Sequence, residues 1–494
     1  MDHPSTGSGV ECPGYSAQKP TRLRWLTPGK VASRGQTRKA KGKGTPTTAG
    51  DEFRTIRTFA AAPKKNSDLV RTTPGPPAID IPRLEMETPT SILTQAAEYY
   101  NACIYKDLLP IHAFGRNPHV YPITAAQLQV AAAETPAYLQ YGMVCMTLNH
   151  RLNTTRGGPQ TKALAERFYM YWGLAVRSLN EHLSLEDRRI GDKVFAGILT
   201  LLLVDIQQGS SLDWRCHLEG VHKLIMLRGG FQTLTLSRSV EPLSLVLWTV
   251  ATLGNTTCPA SDLAMTGFYL EALDFMLKQF SSAVTPFQLC PLPLFGEMIR
   301  INHLRKRAAT HDAAAAESFE NEAFEILERI NGFSPQQWAE AKSSSTPKAD
   351  WVLVGCVYHA AVALYCALSL QSLSVLPSTR TLRDFCTTRA HQLHLLLSEG
   401  LSSPRFQRFM VWPLVLLGVE AVHGSAEMRA FVAEKLPLIS RHVGIHAPLA
   451  AKRVLESFWA SGVTSWDACF DKPYVFTTQI AVDTSRLYTN MHPR

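Results

Sequence analysis

Eleven consecutive residues, Val194–Val204, are apolar on nearly every side of a helix, with Gly197 and Thr200 the interruptions. A helix without a polar face has to be enclosed by other elements, so this run requires a body large enough to surround it. Gln207-Gln208-Gly209 ends the run. Ser210 or Ser211 then offers a side-chain oxygen to cap a new helix, with Asp213 in its first turn. Trp214, Leu218, Val221 and Ile225 follow at spacings of four, three and four, which places them on one helical face. Gly229-Gly230 supplies a left-handed stop. Leu199–Gly230 therefore reads as a buried helix, a tight turn and an amphipathic helix laid against it.

The rest of the chain supplies the enclosure. Ser91–Tyr105 carries Ile92, Ala96, Tyr99 and Cys103 in helical register, and a connection rich in Pro and His follows at Leu109–Pro122. Thr124 is placed to cap a helix through Ala133, and Pro136 to open the next. In Thr161–Leu183 the residues Leu164, Phe168, Trp172, Val176, Leu179 and Leu183 recur every three or four positions. Ser184 with Asp187 resembles a capping box for the buried run. Beyond Gly230, helices are predicted over 242–253 and 261–277, a Pro-interrupted loop over 285–295 and a charged surface helix over 304–329. After a polar break at 342–350, helices are predicted over 351–370, 378–398, 404–422, 426–443 and 448–461. No run shows sustained β alternation between hairpin turns, so the expected fold class is all-α. Trp351–Leu370 has no charge and is long enough for a membrane span, but His359 in mid-segment and the polar residues that follow favour an enclosed core helix.

Charge divides the chain. Residues 1–80 hold 14 Lys/Arg against 6 Asp/Glu, whereas the remainder is nearly balanced within a total net charge of +9. The head is rich in Pro, Gly, Thr and Lys and cannot bury enough apolar surface to offset its ordering entropy. It is expected to be a disordered basic arm over 1–85, with Arg34, Arg38, Lys39, Lys41 and Lys43 as a phosphate-contact or nuclear-import patch. A helical body over 90–475 and a tail over 476–494 complete the expected organisation. The ten cysteines form no C-x-x-C pair and no signal peptide is visible, which suits reduced thiols.

Several strings resemble the fungal-specific transcription factor domain, the regulatory region that follows a binuclear zinc cluster in many fungal regulators. In the centre these are Asp205-Ile206-Gln207-Gln208-Gly209 and the run from Trp214 to Gly230. Further on they are Val357-Tyr358-His359-Ala360-Ala361, Trp412-Pro413-Leu414 with Gly418-Val419-Glu420-Ala421, and Trp466-Asp467 through Pro473-Tyr474. The resemblance covers roughly residues 95–475. It implies a helical regulatory body in the nucleus, controlling pathway genes of specialised metabolism or nutrient use.

At the other end, Cys12-Pro13-Gly14-Tyr15 resembles the exit from the family's six-cysteine, two-zinc cluster, with Cys12 matching its sixth ligand. The five upstream cysteines and the basic recognition helix are absent from this sequence. One thiolate cannot provide the four-coordinate sulfur geometry that zinc needs there. The resemblance implies zinc, but no cofactor is expected to be held by this chain. Two explanations stand: a naturally headless regulator, or a start codon assigned downstream of a missing exon. The second is favoured because a relic of the exit has no evident use alone.

No catalytic residue is expected. There is no H-E-x-x-H, no G-x-S-x-G and no G-x-G-x-x-G after a strand. His391 and His394, near Glu399, lack a placeable third ligand and read as surface or partly buried histidines. Cys216 and His217 read as a core thiol and a polar-face residue. The expected partners are DNA, weakly through the basic arm or through an upstream cluster, and a second regulator as homodimer or heterodimer; no membrane is expected. The alternative function is a headless protein that pairs with full-length zinc-cluster regulators and blocks them.

Overall fold

A computed structural model describes residues 89–114, 120–185, 190–209, 214–236, 241–280, 290–310, 316–342 and 346–478. Among these residues there are helices and loops and no strand.

The first half is built around the apolar run. Helix α1 (Pro89–Tyr99) continues through a π-turn at Tyr100–Ile104 into α2 (Tyr105–Leu108). Its buried face is Leu93, Ala96, Tyr100 and Ile104, one position round from the predicted face. Apolar pairs such as Ile92–Leu93 and Tyr99–Tyr100 leave that rotation undetermined by periodicity. Thr124 caps α3 (Ala125–Glu134): its hydroxyl accepts from the Gln127 N–H, and the Gln127 side chain accepts from the Thr124 N–H at 2.9 Å. Pro136 precedes α4 (Ala137–Thr154), and α5 (Thr161–Leu183) has the predicted bounds. The apolar run lies in α6 (Asp192–Gln208), where every residue from Val194 to Gln207 is buried. Gly191, not Ser184, is the residue before α6; the Ser184 hydroxyl donates back to the Glu181 carbonyl at 2.7 Å, and Asp187 lies outside the described residues. Gly209 ends α6 with φ of 72°. Trp214, Leu218, Val221 and Ile225 are the buried stripe of α7 (Trp214–Leu227), which ends with Gly230 N–H on the Ile225 carbonyl at 2.9 Å. Ser210, Ser211 and Asp213 lie outside the described residues.

The second half departs further from the sequence reading. After α8 (Glu241–Thr256), the single helix predicted over 261–277 is a 3-10 turn followed by α9 (Thr266–Glu271) and α10 (Leu273–Phe280). Met265, at φ of 55°, breaks the register before α9. The predicted loop over 285–295 gives way at Leu292 to α11 (Leu292–Ala308), because Pro293 sits in a first turn where its missing N–H costs nothing. The predicted surface helix is therefore two elements. Helix α11 has Leu304 and Arg305 buried near its end, and α12 (Ala316–Asn331) is amphipathic. Pro335 opens the short α13 (Pro335–Glu340), which the sequence reading missed.

Helix α14 (Lys348–Gln371) is another enclosed element. Among the described residues it alone has the length and apolarity to cross a membrane, yet Ala360–Ala367 is fully inaccessible within the body. It packs against α11, α12, α13 and the following α15 (Arg380–Gly400) and α17 (Val411–Glu420). Between those two, α16 (Pro404–Gln407) and a turn interrupt the helix predicted over 404–422. Then come α18 (Ala426–Val443), α19 (Ala447–Ser461) and α20 (Trp466–Cys469). Helix α18 touches both α4 and α17, and α19 reaches α6, so α6 and α14 share one surrounding body. Each fully buried Leu, Ile or Val in these runs contributes about 1.5–3 kcal/mol. Packing continues past the helices, with Phe476 and Thr477 buried and Thr478 donating to the Arg408 carbonyl.

Candidate functional site

The polar residues at the end of α6 have specific work in an otherwise apolar helix. Asp205 accepts from Trp172 Nε1 of α5 at 2.8 Å and pairs with His217 Nε2 of α7 at 3.0 Å. The Gln207 carbonyl accepts from the Asn153 side chain at 3.3 Å and from the His446 N–H at 2.9 Å. Asn153 also donates to the Gly444 carbonyl at 3.1 Å, and Asn149 to the Val204 carbonyl at 3.0 Å. The string from Asp205 to Gly209 thus joins α4, α5 and α7 to the turn between α18 and α19. Gly209 is required there twice over: its φ is positive, and a Cβ would lie 2.3 Å from the His446 ring.

That ring is the centre of a cationic trio. Arg156 Nη2 meets His446 Nδ1, and Arg453 Nη2 of α19 meets His446 Nε2. Burial, Arg156 and Arg453 together push the His446 pKa down to about 4, so the imidazole is neutral at pH 7. Beside the trio, an open cleft of about 340 Å³ lies between the end of α6, the start of α7, α19 and the extended segment at 472–476. Trp214, Val454, Tyr474 and Phe476 form its apolar wall, and Asp205, Arg453 and Lys472 are its charged groups.

A second polar network fixes the end of the body. Arg305 of α11 is completely buried. It donates to the carbonyls of Asn255, Thr256 and Cys258, to the Tyr365 hydroxyl at 3.0 Å and to Asp467 at 2.8 Å. Burial alone would lower its pKa, but Tyr365 and Asp467 hold it above the ordinary arginine value. Trp412 Nε1 donates to Thr256 Oγ1 at 2.8 Å, and Tyr358 to the Phe409 carbonyl at 2.9 Å. Gly418 lets α17 meet α19 closely: Trp459 Nε1 donates to its carbonyl at 2.8 Å, and a Cβ there would lie 2.5 Å from Leu455. Glu420 is buried and paired with Arg383. The motif residues of the C-terminal half therefore serve packing.

The sequence-predicted site residues fall elsewhere. Cys12 and the patch of Arg34, Arg38, Lys39, Lys41 and Lys43 lie outside the described residues. Among the described residues, no group of three or more His, Cys, Asp or Glu is placed to hold a metal ion. His391 is exposed, and the half-buried His394 packs on Phe431 at 4.6 Å between ring centroids. Cys216 is exposed rather than a core thiol, because two residues on from Trp214 is the outer side of α7. Sequence reasoning missed Arg156, His446, Arg453 and Lys472, which come from distant segments and share no motif.

This arrangement, enclosed apolar helices tied together by structural polar networks beside a cleft of about 340 Å³, is that of a large all-helical body. The family described as the fungal specific transcription factor domain matches residues 97–472. The chain is 45% identical over 488 residues to the phomenoic acid biosynthesis cluster-specific transcriptional regulator of Leptosphaeria maculans, covering 98% of this chain and 87% of that protein. The chain belongs to the fungal-specific transcription factor family. The comparison with solved structures gave no match.

Proposed function

We propose that this protein is a pathway-specific transcriptional regulator acting in the nucleus on the genes of one biosynthetic cluster, with no catalytic activity of its own. The observation that carries this reading is near end-to-end similarity, at 45% identity, to a relative named as a cluster-specific transcriptional regulator. The structure supports it in a second way: the polar motif residues described above are engaged in joining helices, as a regulatory scaffold requires. Family membership supports a nuclear setting. The basic arm adds sequence-independent attraction to phosphate, and pairing with a second regulator through the helical body completes the proposal. The comparisons give the pairing-and-blocking alternative no support over this reading.

The test is deletion of the gene and comparison of transcripts with the parent strain. Loss of transcripts from a contiguous group of biosynthetic genes, restored by the gene in trans, is the expected result. Unchanged transcripts under conditions that express the cluster would overturn the proposal.

A further inference from the structure

Arg156 and Arg453 of the trio are exposed to solvent, and Lys472 beside them is half-buried. A neutral imidazole has one acceptor nitrogen and one N–H. Guanidinium groups face both nitrogens of His446, Arg156 at Nδ1 and Arg453 at Nε2, so one contact sets a donor against a donor. Arg156 has a second acceptor in Asn153 Oδ1 at 2.5 Å. Among the described residues no carboxylate lies within ion-pairing distance of Arg156, Arg453 or Lys472. The carboxylate that does line the cleft, Asp205, already has each oxygen engaged, by Trp172 and by His217. Asp471, next to Lys472, accepts from the Tyr474 hydroxyl at 2.7 Å. The lining of the cleft thus carries two cations, Arg453 and Lys472, against one carboxylate, Asp205, beside an apolar wall.

We infer that this cleft binds a small amphipathic carboxylic acid, whose carboxylate sits on Arg453 and whose apolar body lies against Trp214, Val454 and Tyr474. A volume of about 340 Å³ falls at the lower end of the range for small-molecule sites, which pair apolar walls with few polar groups. Arginine suits the anionic end because its planar fork matches a carboxylate. The cleft joins α6, α7, α19 and the closing segment, so an occupant changes how tightly those elements are held together. That regulatory meaning rests on the proposed function; binding itself rests on the cleft alone.

The experiment is isothermal titration calorimetry on the full chain with 1-naphthaleneacetate and, as a neutral counterpart of the same shape, 1-naphthaleneacetamide. The acid is expected to bind at least about tenfold more tightly than the amide, the scale of one charge-assisted hydrogen bond. Arg453→Gln is expected to abolish that difference while leaving the circular dichroism spectrum unchanged. Ala450→Phe, which fills the cleft without touching the charge, is expected to abolish binding of both. Equal binding of acid and amide, acid affinity unaltered in Arg453→Gln, or no heat from either compound would each overturn the inference. None of these outcomes bears on the transcript test, so the two readings fail separately.

Discussion

Arg305 on α11 and Asp467 at the start of α20 stand 162 residues apart in sequence and 2.8 Å apart in space, with the guanidinium fully enclosed. The pair ties the closing segment of the chain to the core of the second half. It is held in place by four other acceptors around the same guanidinium. Removing one partner of a buried pair strands the other, at about 3–5 kcal/mol. Arg305→Met and Asp467→Asn are each expected to lower the unfolding free energy, read from urea titration, by that order. Arg305→Lys should recover little of the loss, because one ammonium cannot reach five acceptors. A loss below about 1 kcal/mol in Arg305→Met would mean that the segment is anchored elsewhere.

Two helical glycines should respond to alanine with opposite signs. A Cβ at Gly197 of α6 would lie 2.5 Å from the ring of Tyr138, itself buried, whereas a Cβ at Gly220 of α7 meets nothing closer than 4.0 Å. Gly197→Ala is expected to destabilise by about 1–3 kcal/mol through overpacking, outweighing the helix-propensity gain. Gly220→Ala should stabilise by up to about 1 kcal/mol. Thermal unfolding of the two variants side by side reads the difference, and a shared sign would contradict the placement of Tyr138.

Acid should begin to weaken the fold above the pH range in which carboxylates titrate. His446 titrates near 4 in the folded protein against 6.5 ordinarily, through burial and the two flanking arginines. The unfolded chain therefore takes up its proton first as pH falls, and stability is lost between about 6.5 and about 4. Burial lowers His150, His222, His303, His359 and His423 in the same direction. Unfolding free energy is expected to fall from pH 7 to pH 5, with a shallower slope in His446→Gln. A slope unchanged by that substitution would show that His446 is not held neutral.

Nucleic-acid attraction by the arm should be electrostatic in kind. Each phosphate neutralised on duplex DNA contributes about −0.9 to the slope of log affinity against log salt. Replacing Arg34, Arg38, Lys39, Lys41 and Lys43 by Ala should reduce that slope by up to about 4.5 without changing preference among sequences. Binding by the full chain that is tight, sequence-selective and indifferent to salt would contradict an arm-based contribution.

The parts of the fold legible in the sequence are those where one residue type dictates the local structure. The period of Leu164, Phe168 and Leu179 gives α5 its bounds, the apolar run gives α6, and Gly209 and Gly229-Gly230 give the stops. Where two readings share a signal, the sequence is silent. Pro291 and Pro293 suggest a loop, yet Pro293 opens α11; Met265 carries no mark of its left-handed backbone. The cleft was illegible for a different reason. Trp214, Arg453 and Lys472 come together only because α19 and the closing segment fold back onto α6, and no local pattern encodes such a return. Asp205 and Gly209 stood out as part of a family-like string, but their structural purpose needed Trp172, His217 and His446 beside them.

The central claim, that this chain is a regulator of one set of biosynthetic genes, is tested most directly by chromatin immunoprecipitation of the tagged, full-length protein from cells expressing the cluster. Enrichment concentrated at promoters within one contiguous group of biosynthetic genes is the predicted result. No enrichment over an untagged control, with the protein located outside the nucleus, would contradict it.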